Sequence, residues 1–153
     1  MSSNYLFQYC QKLVVLSADK QAVLLAKRKD EADYNGVFSF IGGKLETTDL
    51  DLVEGMRREK NEEIGADAIV KILPNETFNK YFIKKDGSCM VLPHIAGVFK
   101  SGEIKLNNEY SEYKWVPIAE LDSFEPKIEN INELTIWAAT KVYIANDGEF
   151  VEI

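Results

Sequence analysis

The chain has 153 residues, 46% of them apolar, and a formal net charge of −7 from 25 acidic and 18 basic side chains. This balance argues against disorder and against a nonspecific binder of nucleic-acid polymers, which needs a basic surface. It leaves room for a small phosphorylated substrate, which can arrive as a metal complex and then needs an acidic site.

In chain order, Met1 to Gln8 carries no basic segment followed by an apolar stretch. No apolar run reaches membrane-spanning length, so a cytoplasmic protein that engages no membrane is expected. Leu13–Leu16 and Ala22–Ala26 are short apolar runs on either side of Ser17-Ala18-Asp19-Lys20, the pattern of a hairpin. A charged stretch follows and ends in the turn signal Asn35-Gly36. Val37–Ile41 reads as a strand closed by Gly42-Gly43. From Asp51 the periodicity becomes helical. Asp51 is a cap, and Glu54 lies three residues on, as in a capping box. Val53, Met56, Ile64 and the stem of Lys60 form one stripe, and Gly65 is the stop.

Strand patterns return at Ala68–Leu73, Thr77–Ile83, Cys89–Phe99 and Tyr113–Val116. Asp86-Gly87 and Ser101-Gly102 are read as hairpin turns. Pro117 opens a short helix through Leu121, and a second helix is expected from about Ile128 to Ala145. There is no repeat, low-complexity stretch or linker. Strands around a central helix, with another helix near the end, predict an α+β single domain over residues 1–153. The cysteines, Cys10 and Cys89, lie in apolar runs and are read as free buried thiols.

The chemically informative stretch is Arg57-Arg58-Glu59-Lys60-Asn61-Glu62-Glu63-Ile64-Gly65. Positions i, i+3 and i+4 share a helix side, so Glu59, Glu62 and Glu63 are expected within reach of one point. Three carboxylates so close repel one another, and a hard divalent cation removes that cost. Arg58 is placed to brace them. Alone, such a segment is more often a solvated acidic face. The preceding apolar strand with Gly42-Gly43, where the backbone can approach a ligand closely, raises the metal-site reading.

Gly43-Lys44-Leu45-Glu46 and Arg58-Glu59-x-x-Glu62-Glu63-x-Gly65-Ala66 resemble the two halves of the Nudix hydrolase signature. Three departures stand out. The loop before the helix is one residue longer. The middle glutamate has no clean counterpart, so Asp49 is not counted as a ligand. Lys60 replaces an apolar residue. Later, Ser111-Glu112-Tyr113-Lys114-Trp115-Val116-Pro117 is similar to a run common in the family.

The resemblance implies a Nudix-like α/β/α sandwich around a mixed β-sheet. It also implies hydrolysis of a diphosphate bridge by metal-activated water. The cofactor would be Mg²⁺, with Mn²⁺ as an alternative. Glu59 and Glu63 would be the ligands, with Glu62 shared between metal and base work, the Gly43 carbonyl completing the set, and Arg58 positioning the glutamates. Glu109 or Glu112 stand as bases from a later loop. The expected substrate is a small nucleotide, foremost a nucleoside triphosphate. Alternatives are a diadenosine polyphosphate, a nucleotide sugar, or a non-catalytic nucleotide-binding regulatory module. A plain structural α+β domain is a further reading. The oligomeric expectation is a monomer or homodimer, with Phe150–Ile153 a strand that could pair between copies.

Of the remaining signals, His94 is read as a core or strand-edge residue. Arg28 and Lys29 are read as phosphate contacts or solvated charges. Tyr5, Phe7, Phe38 and Phe82 are weighed as base-stacking groups against core positions.

Overall fold

In the computed structural model, residues 7–153 are described. Tyr5, weighed above as a stacking residue, lies outside them. Among the described residues, nine strands form one mixed sheet and two α-helices cover it: β1 (Gln8–Leu16), β2 (Ala22–Arg28), β3 (Phe38–Ser39), β4 (Ile41–Lys44), α1 (Leu52–Ile64), β5 (Ile69–Ile72), β6 (Phe78–Ile83), β7 (Cys89–Ser101), β8 (Tyr110–Pro117), α2 (Ile131–Ile144) and β9 (Val151–Glu152). The expected short helix after Pro117 is a single 3₁₀ turn, Ile118–Glu120.

β1 explains the layering. Leu13 and Val15 pack with Met56 and Ile64 of α1, whereas Val14 and Leu16 pack with Leu134 and Ala138 of α2. Alternate side chains of one strand thus enter two cores, which is why Leu13–Leu16 is apolar without interruption. β1 pairs in parallel with β7 from Gln8↔Met90 to Leu16↔Val98, and this parallel pair makes the sheet mixed. The α/β/α sandwich expected from the sequence is the architecture found.

The site is opened by a fork. β2 meets β1 only at Leu16↔Val23 and then pairs with β8 and β3, while β4 takes the same edge of β1 from Leu13↔Ile41 to Cys10↔Lys44. The single strand expected over Val37–Ile41 is therefore two. Ser39 still pairs with β2, Ile41 already pairs with β1, and the chain crosses at Phe40. Gly42-Gly43 do not close a strand but lie within β4. Gly42 has φ +141, and a Cβ there would collide with the Gln11 carbonyl, so the close approach to β1 requires glycine.

α1 starts where the cap signal put it. The Asp51 side chain accepts from the Glu54 N–H at 2.8 Å. The second half of the expected box is not made, because the Glu54 carboxylate pairs with Arg57 at 3.0 Å. Gly65 ends the helix at φ 94. Asp86-Gly87 does join the antiparallel pair β6–β7. Ser101-Gly102 does not form a hairpin: β7 ends there, and the next strand, β8, pairs with β2 across the sheet. The C-terminal strand also finds its partner inside the chain. β9 pairs with β5, the Ile153 N–H donates to the Val70 carbonyl at 2.8 Å, and Ile153 is buried.

Candidate active site

The fork leaves a cleft of about 630 Å³ between β4, α1 and the strands β6 and β7, a size suited to a small organic ligand. Its charged wall is built from α1 and the loop before it. Arg58 is the hub. Its Nε and Nη2 grip both oxygens of Asp49 at 2.8 and 3.0 Å, its Nη2 also donates to the Lys44 carbonyl at 3.0 Å, and its Nη1 donates to Glu59 Oε1 at 2.9 Å and to Glu62 at 3.3 Å. The bidentate hydrogen bond from Arg58 is the main cause that holds the Asp49 carboxyl at about 2, well below the usual carboxylate range.

Glu59 and Glu62 line the cleft with Gly43. The contact with Gly43 is so tight that a Cβ there would overlap the Glu59 carboxylate. Burial raises the Glu59 carboxyl against the opposing pull of Arg58. Glu63 is placed differently. It is 2% exposed, and its Oε1 accepts from the Gly42 N–H at 2.7 Å and the Tyr110 hydroxyl at 2.9 Å. Burial is the largest influence on it and lifts its carboxyl to about 7. The three glutamates share one side of α1, as their spacing requires, but they do not meet at one point. Among the described residues no group of three His, Cys, Asp or Glu side chains is gathered closely enough to hold a metal ion. Like charges repel: Glu59 and Glu62 share Arg58 Nη1, while Glu63 turns to the Gly42 N–H and the Tyr110 hydroxyl.

A model of the NUDIX domain matches residues 12–137. The chain belongs to the NUDIX domain family. That membership makes it a Nudix-type hydrolase, the class of enzyme that acts on phosphoric anhydride bonds. No match was found among curated protein sequences. Similar solved structures share the Nudix fold at low identity. A MutT protein from Methanosarcina mazei Go1 is 20% identical, with 89% of this chain and 95% of that one covered and a TM-score of 0.69. The NUDIX domain of Shewanella oneidensis NrtR, solved with ADP ribose, is 18% identical over 92% of both chains, with a TM-score of 0.72. An Ap4A hydrolase from C. elegans is 12% identical, covering 90% and 97%, with a TM-score of 0.68.

Within this Nudix frame, the donor set fits a hard divalent cation in its chemistry: carboxylate oxygens of Glu59 and Glu62 on the cleft, with the Gly43 backbone pressed against Glu59. Asp49 takes the place beside Arg58 that spacing alone left undecided. The longer loop folds into a turn in which the Asp49 N–H donates to the Glu46 carbonyl at 3.0 Å and the Glu46 N–H donates back to Asp49 Oδ2 at 2.8 Å. That turn delivers the short aspartate side chain to Arg58. Lys60, the other departure, is 1% exposed and leaves the cleft altogether. Its Nζ donates to the Ala68 carbonyl at 2.6 Å and reaches the Gly65 carbonyl at 3.4 Å, bracing the helix end.

Of the two later glutamates, Glu109 lines the cleft, held by Asn107 Nδ2 at 2.9 Å. Glu112 sits on β8 away from the cleft lining, with its carboxylate facing Lys27 at 3.8 Å. Glu109, and not the Glu112 expected from the sequence as a catalytic residue, thus stands on the cleft. Arg28 reaches the cleft but pairs with Glu31 at 2.9 Å. His94 is buried in the cleft floor with Nδ1 3.1 Å from the Phe78 carbonyl, and burial pulls its pKa down to about 4, so it is neutral near pH 7. Phe38 is core, Phe7 is exposed, and Phe82 lines the cleft. Cys10 is a buried free thiol, and Cys89 is only half-buried. Sequence reasoning missed Tyr34, which lines the cleft from the loop after β2; only its position next to Asn35-Gly36 hinted at a special turn.

Proposed function

We infer that the protein is a Mg²⁺-dependent pyrophosphohydrolase of small nucleotides, foremost nucleoside triphosphates. The observation that carries this reading is the contact of Glu59 with Gly43 in a cleft that also holds Glu62 and Glu109. Glu59, Glu62 and the Gly43 carbonyl would hold the metal, and the Glu63 oxygen not engaged by Gly42 and Tyr110 would have to turn toward them to join. A bound Mg²⁺ supplies Lewis acidity and charge neutralisation at the diphosphate.

The protein's own groups do the rest. Lys12 and Lys44, which have no ion-pair partner among the described residues, receive the phosphate oxygens. Arg58, fixed by Asp49, orients Glu59 and Glu62. Glu62 or Glu109 accepts the proton of the attacking water as general base. The test is a screen for phosphate and pyrophosphate release over nucleoside triphosphates, dinucleoside polyphosphates and nucleotide sugars, with and without Mg²⁺. Turnover of at least one triphosphate that requires the metal is the expected result. Tight binding with no turnover of any compound would show a regulatory module instead.

A further inference from the structure

The cleft has a second end that the metal chemistry does not use. Met90, Leu92 and His94 alternate along β7 and all line the cleft, so they share one face of the strand. From Met90 to His94 the floor runs on the order of 13 Å at the usual rise per strand residue. His94 pairs with Lys12 on β1, which pairs in turn with Gly42 at the charged end. At the Met90 end stands Phe82, its register partner on β6. The Phe82 ring meets the Tyr34 ring with centroids 5.2 Å apart and planes inclined at 42°. The two rings form a corner, and Tyr34 leaves 44% of its surface open.

Tyr34 is held in place. It sits at φ 57, a left-handed conformation uncommon for a bulky residue. Its loop is closed at the base by the Gly36 N–H to the Arg28 carbonyl at 2.8 Å and the Arg28 N–H to the Val37 carbonyl at 3.0 Å. Asp33 Oδ1 accepts from the Lys85 N–H at 3.3 Å, which ties the loop to the β6–β7 hairpin carrying Phe82. A second, independent feature lies in the same cleft. Ser39 is 3% exposed, yet its hydroxyl has no hydrogen-bond partner. Buried hydroxyls are ordinarily satisfied, so an unpartnered one in a cleft wall points to a ligand. The cations at this end are already matched, Arg28 by Glu31 and Lys84 by Asp86.

We propose that the Tyr34–Phe82 corner and the Ser39 hydroxyl seat a heteroaromatic base, with the phosphates of the same ligand running past Lys12 to Lys44 and the α1 carboxylates. An aromatic corner gives stacking surface, Ser39 gives one donor–acceptor group for the base edge, and Met90 beside Phe82 gives an apolar floor that suits an uncharged ring. This deepens the nucleotide reading above and rests on it for the ligand class, but its test does not need turnover.

The test measures binding of AMP, GMP, CMP and UMP against ribose 5-phosphate by calorimetry in EDTA. In the wild-type protein at least one of the four nucleotides binds about tenfold or more tightly than ribose 5-phosphate. Phe82→Leu, which keeps apolar volume, and Tyr34→Ala, at an exposed loop position, each weaken that nucleotide about 5- to 100-fold, the range that base–aromatic stacking supports. Ribose 5-phosphate binding stays as it was, and melting temperatures confirm that both variants are folded. Ser39→Ala gives a smaller loss of the same kind. Equal binding of nucleotides and ribose 5-phosphate by the wild type, or variants that keep the full preference, overturns the proposal. Binding in EDTA is read without any turnover. A protein that prefers a base but turns nothing over therefore refutes the hydrolase reading alone.

Discussion

The two helices cover opposite faces of one sheet and are built on opposite terms. α2 buries Ile131, Leu134, Thr135, Ala138 and Val142, an almost wholly apolar set. α1 buries Met56 and Ile64 but also Glu59, Lys60 and Glu63. Burying charge is costly unless each group finds partners. The fold around α1 supplies them: Arg58 for Glu59, two backbone carbonyls for Lys60, and the Gly42 N–H with the Tyr110 hydroxyl for Glu63. α2 is thus held by apolar burial, whereas α1 gives up some of that burial to hold carboxylates against a glycine strand.

Substitutions on the two helices should therefore separate activity from stability. The largest effect belongs to α1. Glu62→Gln and Glu63→Gln are each expected to lower Mg²⁺-dependent turnover by about a hundredfold or more while the protein stays folded, the scale of losing a group that acts on the reacting water or its metal. Retained turnover in both variants would sink the assignment of α1 as the metal helix. On the other side, Leu134→Ala removes a buried side chain of α2 and should cost about 2–5 kcal/mol in urea unfolding, with kcat of the folded fraction unchanged. A drop in kcat as large as that for Glu62 would blur the division.

His94 is buried in the cleft floor against Phe40, and its pKa gives the comparison a pH axis. Burial holds it near 4, below the 6.5 of an unhindered imidazole. The unfolded chain therefore binds more protons between these values. The stability this contributes is complete above pH 6.5 and is lost as pH falls through about 4, a change of about 3 kcal/mol. Unfolding free energies of wild type and His94→Phe, compared from pH 7 to 4, should diverge from their pH 7 difference by about that amount. Using the variant as reference cancels Glu63, whose raised pKa acts with the opposite sign. A constant difference would show that His94 is solvated and protonated in the folded state.

Asp49→Asn tests whether the hub needs its anchor. Arg58 would keep Glu59 and Glu62 but lose its charged clamp, and kcat/KM should fall about 10- to 100-fold, as for residues that orient metal ligands. An unchanged value would return Asp49 to the status of a loop acid. The smallest effect is expected at Lys60→Met. It removes a buried cation but leaves the Ala68 and Gly65 carbonyls without their donor, so the two contributions nearly cancel, within about 1 kcal/mol. Turnover should be unaffected, since Lys60 does not line the cleft. A loss as large as that of Leu134→Ala would show that the buried cation, and not only the apolar stripe, anchors α1.

Much of this was legible in the chain itself. Helical spacing put Glu59, Glu62 and Glu63 on one side of α1, Asp51 and Gly65 marked its ends, and the Leu13–Leu16 run marked a strand. These features follow from local rules: backbone caps, side-chain periodicity and burial pattern. The candidate site needed more. Whether Glu109 or Glu112 reaches the cleft depends on where β8 meets β2, and Asp49 reaches Arg58 because the longer loop closes a turn at Glu46. Tyr34 and Phe82 are 48 positions apart in sequence and meet only when the loop after β2 docks on the β6–β7 hairpin. The sequence by itself determined the helix and its carboxylates, because neighbours on a helix are neighbours in the chain. Only the tertiary structure decided which carboxylate is buried, which anchors the arginine and which faces the cleft, because strand pairing and burial join residues that the chain keeps apart.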